Sequence, residues 1–153
     1  MSADLRQRMH DYLRTHHVAT LATMAVDGPW AAAVFYVNDG NTLYFLSSPN
    51  SRHCCNLKQD ARAAATIQAD YDDWPEIKGV QLEGKVSLLC GAEEDLARRL
   101  YTEKFPLVGK LGQAPAAIVT ALARVRWYRL APTRLFFIDN SIGFGQRDEI
   151  TGE

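Results

Sequence analysis

The heptapeptide Ser47-Ser48-Pro49-Asn50-Ser51-Arg52-His53 gathers three hydroxyls, an amide, a guanidinium and an imidazole. It falls where a strand is expected to give way to a helix. Free backbone N–H groups at a helix start are donors suited to a phosphate. Arg52 adds a planar fork able to make a two-pronged, charge-assisted pair with phosphate oxygens. The same residues also suit an ordinary helix cap with an exposed arginine, so the residues alone leave both readings open. Elsewhere the chemistry is sparse. The four histidines, His10, His16, His17 and His53, follow no ligand spacing, and no metal site is expected. His16-His17 suits a helix end, where the dipole favours cations. Cys54 and Cys55 follow the candidate turn and read as packed in a short helix. Asp72 and Asp73 read as a solvated loop. Asp139 and Asn140 end a strand and could reach a ligand or form a turn. No Ser-His-Asp set emerges.

The elements that must position the heptapeptide follow from periodicity. Leu5, Met9, Tyr12 and Leu13 form one helical stripe after a cap at Ser2. Strands are expected at Val18–Val26, Trp30–Val37 and Thr42–Ser47. Asp27-Gly28 makes the first turn, with Pro29 lengthening its loop, and Asn38–Asn41 makes the second. Two successive hairpins mean antiparallel pairing. Ser51–Gln59 reads as a short helix capped by Asn50 or Ser51, and Ala61–Ala69 as a fourth strand. Tyr71–Lys78 reads as a loop in which Trp74 covers a bound ring or closes the barrel. Gly79–Leu89 alternates, with Val80, Leu82, Gly84, Val86 and Leu88 on one face. Ala92–Lys104 and Gln113–Leu122 read as helices. Val125–Leu130 and Arg134–Ile138 read as two last strands broken at Ala131-Pro132-Thr133. Strands without regularly alternating long helices disfavour a doubly wound sheet. A mainly β fold, a small antiparallel barrel with peripheral helices, fits better.

The second strand is apolar on both faces: Trp30, Ala32, Val34 and Tyr36 on one, Ala31, Ala33, Phe35 and Val37 on the other. Both faces are therefore expected to be covered. One can line a barrel; the other must meet a helix, a second subunit or a ligand. The chain has 153 residues, which fits a single domain over 1–153. With 17 basic and 18 acidic residues it lacks the basic stripe of a nucleic-acid binder. Three cysteines, two of them adjacent and none in a C-x-x-C spacing, argue against a disulfide framework or structural zinc. The apolar run Gln113–Ala123 contains Pro115 and falls short of the ~18 residues of a membrane span. A reduced, soluble, cytoplasmic protein is expected.

Several segments, in order, resemble one family. Thr20-Leu21-Ala22-Thr23, Asp27-Gly28-Pro29-Trp30 and Val34-Phe35-Tyr36 look like the opening strands of the pyridoxamine 5′-phosphate oxidase-like proteins. Leu43-Tyr44-Phe45-Leu46-Ser47 followed by Ser51-Arg52-His53 resembles their aromatic strand and Ser-Arg-Lys phosphate turn. Val80-Gln81-Leu82-Glu83-Gly84-Lys85-Val86 resembles their glycine-bearing strand, and Trp127, Pro132 and Arg134-Leu135-Phe136-Phe137 their closing strands. The Tyr71-Asp72-Asp73-Trp74 loop and the ending Phe137–Gly145 resemble a bacterial branch of the family.

The resemblance implies a split β-barrel that binds FMN at a homodimer interface. Ser51, Arg52 and His53 would hold the phosphate, and Leu46 and Ser47 would lie along the ribityl chain or ring. The backbone of Val34 and Phe35 would contact the isoalloxazine, with Gln81 and Asn140 completing the cofactor-binding set. The implied function is an FMN-dependent oxidoreductase acting on a small molecule or electron donor. The alternative is a non-catalytic flavin- or haem-binding carrier or sensor, with His53 as an iron ligand. Two departures matter. His53 replaces the family's lysine and is only partly charged near neutral pH. The region Asn140–Arg147 lacks the oxidases' Arg-x-His signature, which argues against pyridoxamine phosphate oxidation itself.

Overall fold

Alternating apolar residues place one face of each of six strands in a common interior. The computed structural model describes residues 3–152, so the expected cap at Ser2 lies outside the described residues. Helix α1 (Ala3–Thr15) leads into β1 (Val18–Ala25), β2 (Gly28–Asp39) and β3 (Thr42–Ser47). Helix α2 (Arg52–Gln59), β4 (Arg62–Gln68), a 3₁₀ turn (Trp74–Glu76) and β5 (Lys78–Leu88) follow. Helices α3 (Gly91–Lys104), α4 (Pro106–Gly109) and α5 (Ala116–Leu122), with a 3₁₀ turn at Leu111–Gln113, precede β6 (Arg126–Asp139) and β7 (Arg147–Glu149). The sheet order is β3-β2-β1-β4-β5-β6-β7, and β3 also pairs with β6. That last pairing closes six antiparallel strands into a barrel and removes most exposed edges, while β7 extends the sheet from β6.

The interior holds Leu21, Tyr36, Phe45, Ile67, Val80, Leu130 and Leu135, each at most 2% exposed. Helix α1 turns its predicted stripe inward, packing Met9, Tyr12 and Leu13 against this cluster. The Tyr36 hydroxyl, buried in apolar surroundings, donates to the Leu13 carbonyl at 2.7 Å. A second cluster lies outside the barrel, where α3 covers Val37, Tyr44, Leu89 and Trp127 with Ala97 and Tyr101.

Four details depart from the sequence reading. The first hairpin is tight: Ala25 faces Gly28, so Val26-Asp27 form the turn and Pro29 lies within β2. In the second hairpin Asp39 faces Thr42, and Gly40 takes the positive φ of +56° that its tight turn requires. The two expected closing strands are one continuous strand, β6. Its register against β5 shifts between Glu83/Gly84, so Thr133 is the extra residue of a bulge and Pro132 faces Gly84. A bulge tolerates proline, which has no N–H for the ladder. The register shift brings the backbones so close that a Cβ on Gly84 would lie 2.1 Å from the Ala131 carbonyl oxygen. Finally, Leu88 is 60% exposed while Leu89 is buried, because the alternation of β5 ends there and the chain turns toward α3.

The outer face of β2 is only partly covered. Val37 is buried under α3, whereas Ala31, Ala33 and Phe35 are exposed, Phe35 by 56%. Neighbouring β1 continues this surface with exposed Val18, Ala22 and Met24. The expectation that both faces of β2 are covered therefore fails within a single chain over the Ala31–Phe35 stretch.

Candidate functional site

Strand pairing opens a split in the barrel wall beside the heptapeptide. β2 pairs with β3 only over Tyr36–Asp39. β3 continues along β6, with Leu46 facing Trp127 and Ser47 facing Arg126. Gly28–Phe35 therefore has β1 as its one strand partner among the described residues. Its other backbone edge, from Trp30 to Phe35, runs free for roughly 17 Å at the usual strand rise.

The start of α2 forms one end of this split. Ser51 is the N-cap, in extended conformation, and its Oγ accepts from the Cys54 N–H at 3.3 Å. Its hydroxyl donates to the Ser48 carbonyl at 2.7 Å. With that proton committed, the 3.3 Å contact between Ser51 Oγ and His53 Nε2 requires Nε2–H as donor. The same Nε2 lies 2.9 Å from Ser47 Oγ. Burial holds the imidazole below the ordinary histidine range, so His53 is a neutral tie between β3 and the helix start. Among the described residues, the first-turn amides of Arg52 and His53 donate to no protein group. The Arg52 guanidinium rests on the exposed Trp30 ring, 4.2 Å from its centroid. Two free amides, a guanidinium and the Ser47 hydroxyl at a helix start suit a phosphate, while Ser51 and His53 hold the turn in shape.

Buried pairs fix this corner. The Asn56 side-chain amide of α2 donates to Thr23 Oγ1 of β1 at 3.1 Å, with both residues buried. At the far end of the free edge, Phe35 packs against Phe105, with ring centroids 5.4 Å apart. Lys104 beside it donates to the Leu13 and His16 carbonyls and sits 4.1 Å over the Tyr36 ring. Burial lowers its ammonium to about 8.

The expected site residues fall into two groups. Phe35, Leu46, Ser47, Ser51, Arg52 and His53 border the split. Val34 belongs to the same strand, but its side chain is buried in the barrel, leaving its backbone as the part near the edge. Gln81 and Asn140 are elsewhere. Gln81 faces Phe136 on β6, far along that strand from Arg126, the partner of Ser47. The Asn140 side chain donates to the Trp74 carbonyl at 2.9 Å and accepts from the Gly145 N–H at 3.1 Å, binding its own loop together. Asp139 is buried, paired with Arg8 and hydrogen-bonded by Ser141. Trp74 is 70% exposed and meets Phe144, with centroids 6.2 Å apart. Sequence reasoning missed Trp30 as the Arg52 platform and Asn56–Thr23 as the anchor; both depend on registers between distant segments. No cluster of metal-ligating side chains occurs among the described residues. No described helix is long and apolar enough to cross a membrane.

The family model described as pyridoxamine 5′-phosphate oxidase matches residues 5–139. A UPF0306 protein of Klebsiella pneumoniae is 32% identical over 138 residues, covering 89% of this chain and 86% of its own. A heme binding protein of Mycobacterium smegmatis superposes with a TM-score of 0.72 at 25% identity. The match covers 93% of this chain, which spans 57% of that protein's length. HutZ of Vibrio cholerae, a heme storage protein, shares the fold at TM-score 0.68 and 18% identity, over 86% of this chain and 93% of its own.

Proposed function

Because this chain belongs to the pyridoxamine 5′-phosphate oxidase family, we propose that it binds FMN in the split beside β2 and works as an oxidoreductase in homodimeric form. The observation that carries this reading is the coincidence of an unpaired strand edge with an anion-ready helix start. The amides of Arg52 and His53, the Arg52 guanidinium and the Ser47 hydroxyl would hold the phosphate, with Ser51 capping the helix so that those amides face it. Leu46 and the backbone of Val34 and Phe35 would lie along the ribityl chain and ring. Gln81 and Asn140 would join this set from the partner subunit, since one chain keeps them far from the corner.

Bound flavin would supply the hydride or electron chemistry, and the protein its binding, orientation and electrostatics. The missing Arg-x-His signature argues for a substrate other than pyridoxamine phosphate. One flavin domain over residues 1–153 is the proposed unit. A cytoplasmic location is supported by three free cysteines, Cys54, Cys55 and Cys90.

The second reading is a haem carrier, favoured by the heme binding protein of M. smegmatis at 25% identity. His53 would then be the iron ligand through Nδ1, since its Nε2 is engaged by Ser47 and Ser51. A fluorescence titration of the purified protein with FMN and an absorption titration with haemin separate the two. Saturable quenching of FMN fluorescence supports the first, and a Soret shift on haemin addition supports the second. Reduction of bound FMN by NADH or NADPH would support oxidoreductase chemistry. A protein that ignores FMN ends the flavin reading.

A further inference from the structure

A cavity of about 700 Å³ lies between the outer side of β3 and β6 and the α3–α5 segment. Its floor is Leu46 and Trp127, partners in the β3–β6 register. Its roof is α5, which reads AAIVTAL and has no charged residue and no buried residue. An apolar helix normally buries its surface, because each Å² left wet forfeits about 25 cal/mol. Val119 and Leu122 of α5 instead line the cavity. Its volume falls within the roughly 300–1,000 Å³ typical of small-molecule pockets.

The charged lining is asymmetric. Arg98 and Arg126 face a single acid, Glu94. The Arg98 guanidinium sits 5.3 Å from the Trp127 ring centroid. Neither Arg98 nor Arg126 has an ion-pair partner among the described residues, so both guanidinium charges are open to an incoming anion, Arg126 holding only the Val125 carbonyl. We propose that this cavity is a binding site for an amphipathic monocarboxylate, its apolar body under α5 and its carboxylate on Arg98. This site borders the flavin corner at Leu46 but takes its ligand on the α3–α5 side, and stands whether or not FMN binds.

The test uses the whole chain and the fluorescent probe 8-anilinonaphthalene-1-sulfonate, an apolar ring system with one anionic group. The probe is expected to bind at about one site per chain and to be displaced by decanoate. Filling the cavity by Val119→Trp or, independently, Leu122→Trp should abolish that binding while leaving the melting temperature unchanged in at least one variant. Arg98→Gln should weaken probe binding roughly tenfold, the scale of one charge-assisted hydrogen bond. The uncharged analogue N-phenyl-1-naphthylamine should bind wild type and Arg98→Gln equally. Wild-type probe binding in both filled variants, or failure of decanoate to displace it, overturns the proposal. Competition between FMN and the probe also overturns it, by making the cavity part of the nucleotide site.

Discussion

Arg52 stacked on Trp30 shows how the corner would trade partners. An exposed cation–π contact is worth about 0.5–1 kcal/mol, while hydrogen bonds to a charged group are worth about 1.5–3 kcal/mol. A bound phosphate would therefore draw the guanidinium from the ring. Arg52→Ala should weaken FMN binding by about 1.5–3 kcal/mol, roughly 10- to 150-fold, in a fluorescence titration; unchanged affinity would remove Arg52 from the site. His53 gives a second expectation. Burial lowers its folded-state pKa, so on acidification the unfolded chain takes up the proton first. Its contribution to stability is full above about pH 6.5 and is lost as pH falls through the folded-state value. Melting temperatures from pH 7.5 down to 5 should fall more steeply in wild type than in His53→Gln, and parallel slopes would contradict this. The Ser47–His53 cluster was legible because its contacts span at most six positions along the chain. The Arg52–Trp30 stack was not, because it joins α2 to the strand on the far side of the β2–β3 hairpin, 22 positions back.

At the scale of elements, periodicity located most strands within a residue or two, since one face of each is buried. The single strand β6 was hidden by Pro132, a residue that reads as a breaker when its bulged partner is unseen. β7, at three residues, is too short to carry a period. The tight turn at Val26-Asp27 was masked by the adjacent Gly28-Pro29 signal. The bulge makes a sharp prediction. Since a methyl on Gly84 meets the Ala131 backbone rather than a mobile side-chain tip, Gly84→Ala should destabilise the fold by about 1–3 kcal/mol. Urea unfolding should show a lower midpoint at unchanged slope, whereas an unchanged midpoint would mean the strands can part freely.

Over the whole molecule, the exposed side chains of Ala31, Ala33 and Phe35 on β2 and of Val18, Ala22 and Met24 on β1 form an apolar surface. Contiguous apolar surface of this kind marks an interaction site. A second copy laid there would cover it, and would be the source of the Gln81 and Asn140 side chains that a single chain keeps away from its own corner. Ala33→Arg sets a guanidinium in that face. Sedimentation velocity should show the proposed dimer shift to monomer, with FMN affinity falling in step; a variant that stays dimeric would place the interface elsewhere. The apolar two-faced strand was readable from residue types, but the partner of its outer face was not, because composition names no occupant.

A crystal structure grown with FMN tests the central claim most directly. The expected density shows the phosphate on the amides of Arg52 and His53, with the guanidinium drawn off Trp30 and the ring along the free edge from Trp30 to Phe35. Flavin bound elsewhere, with Arg52 still resting on Trp30, would contradict the account.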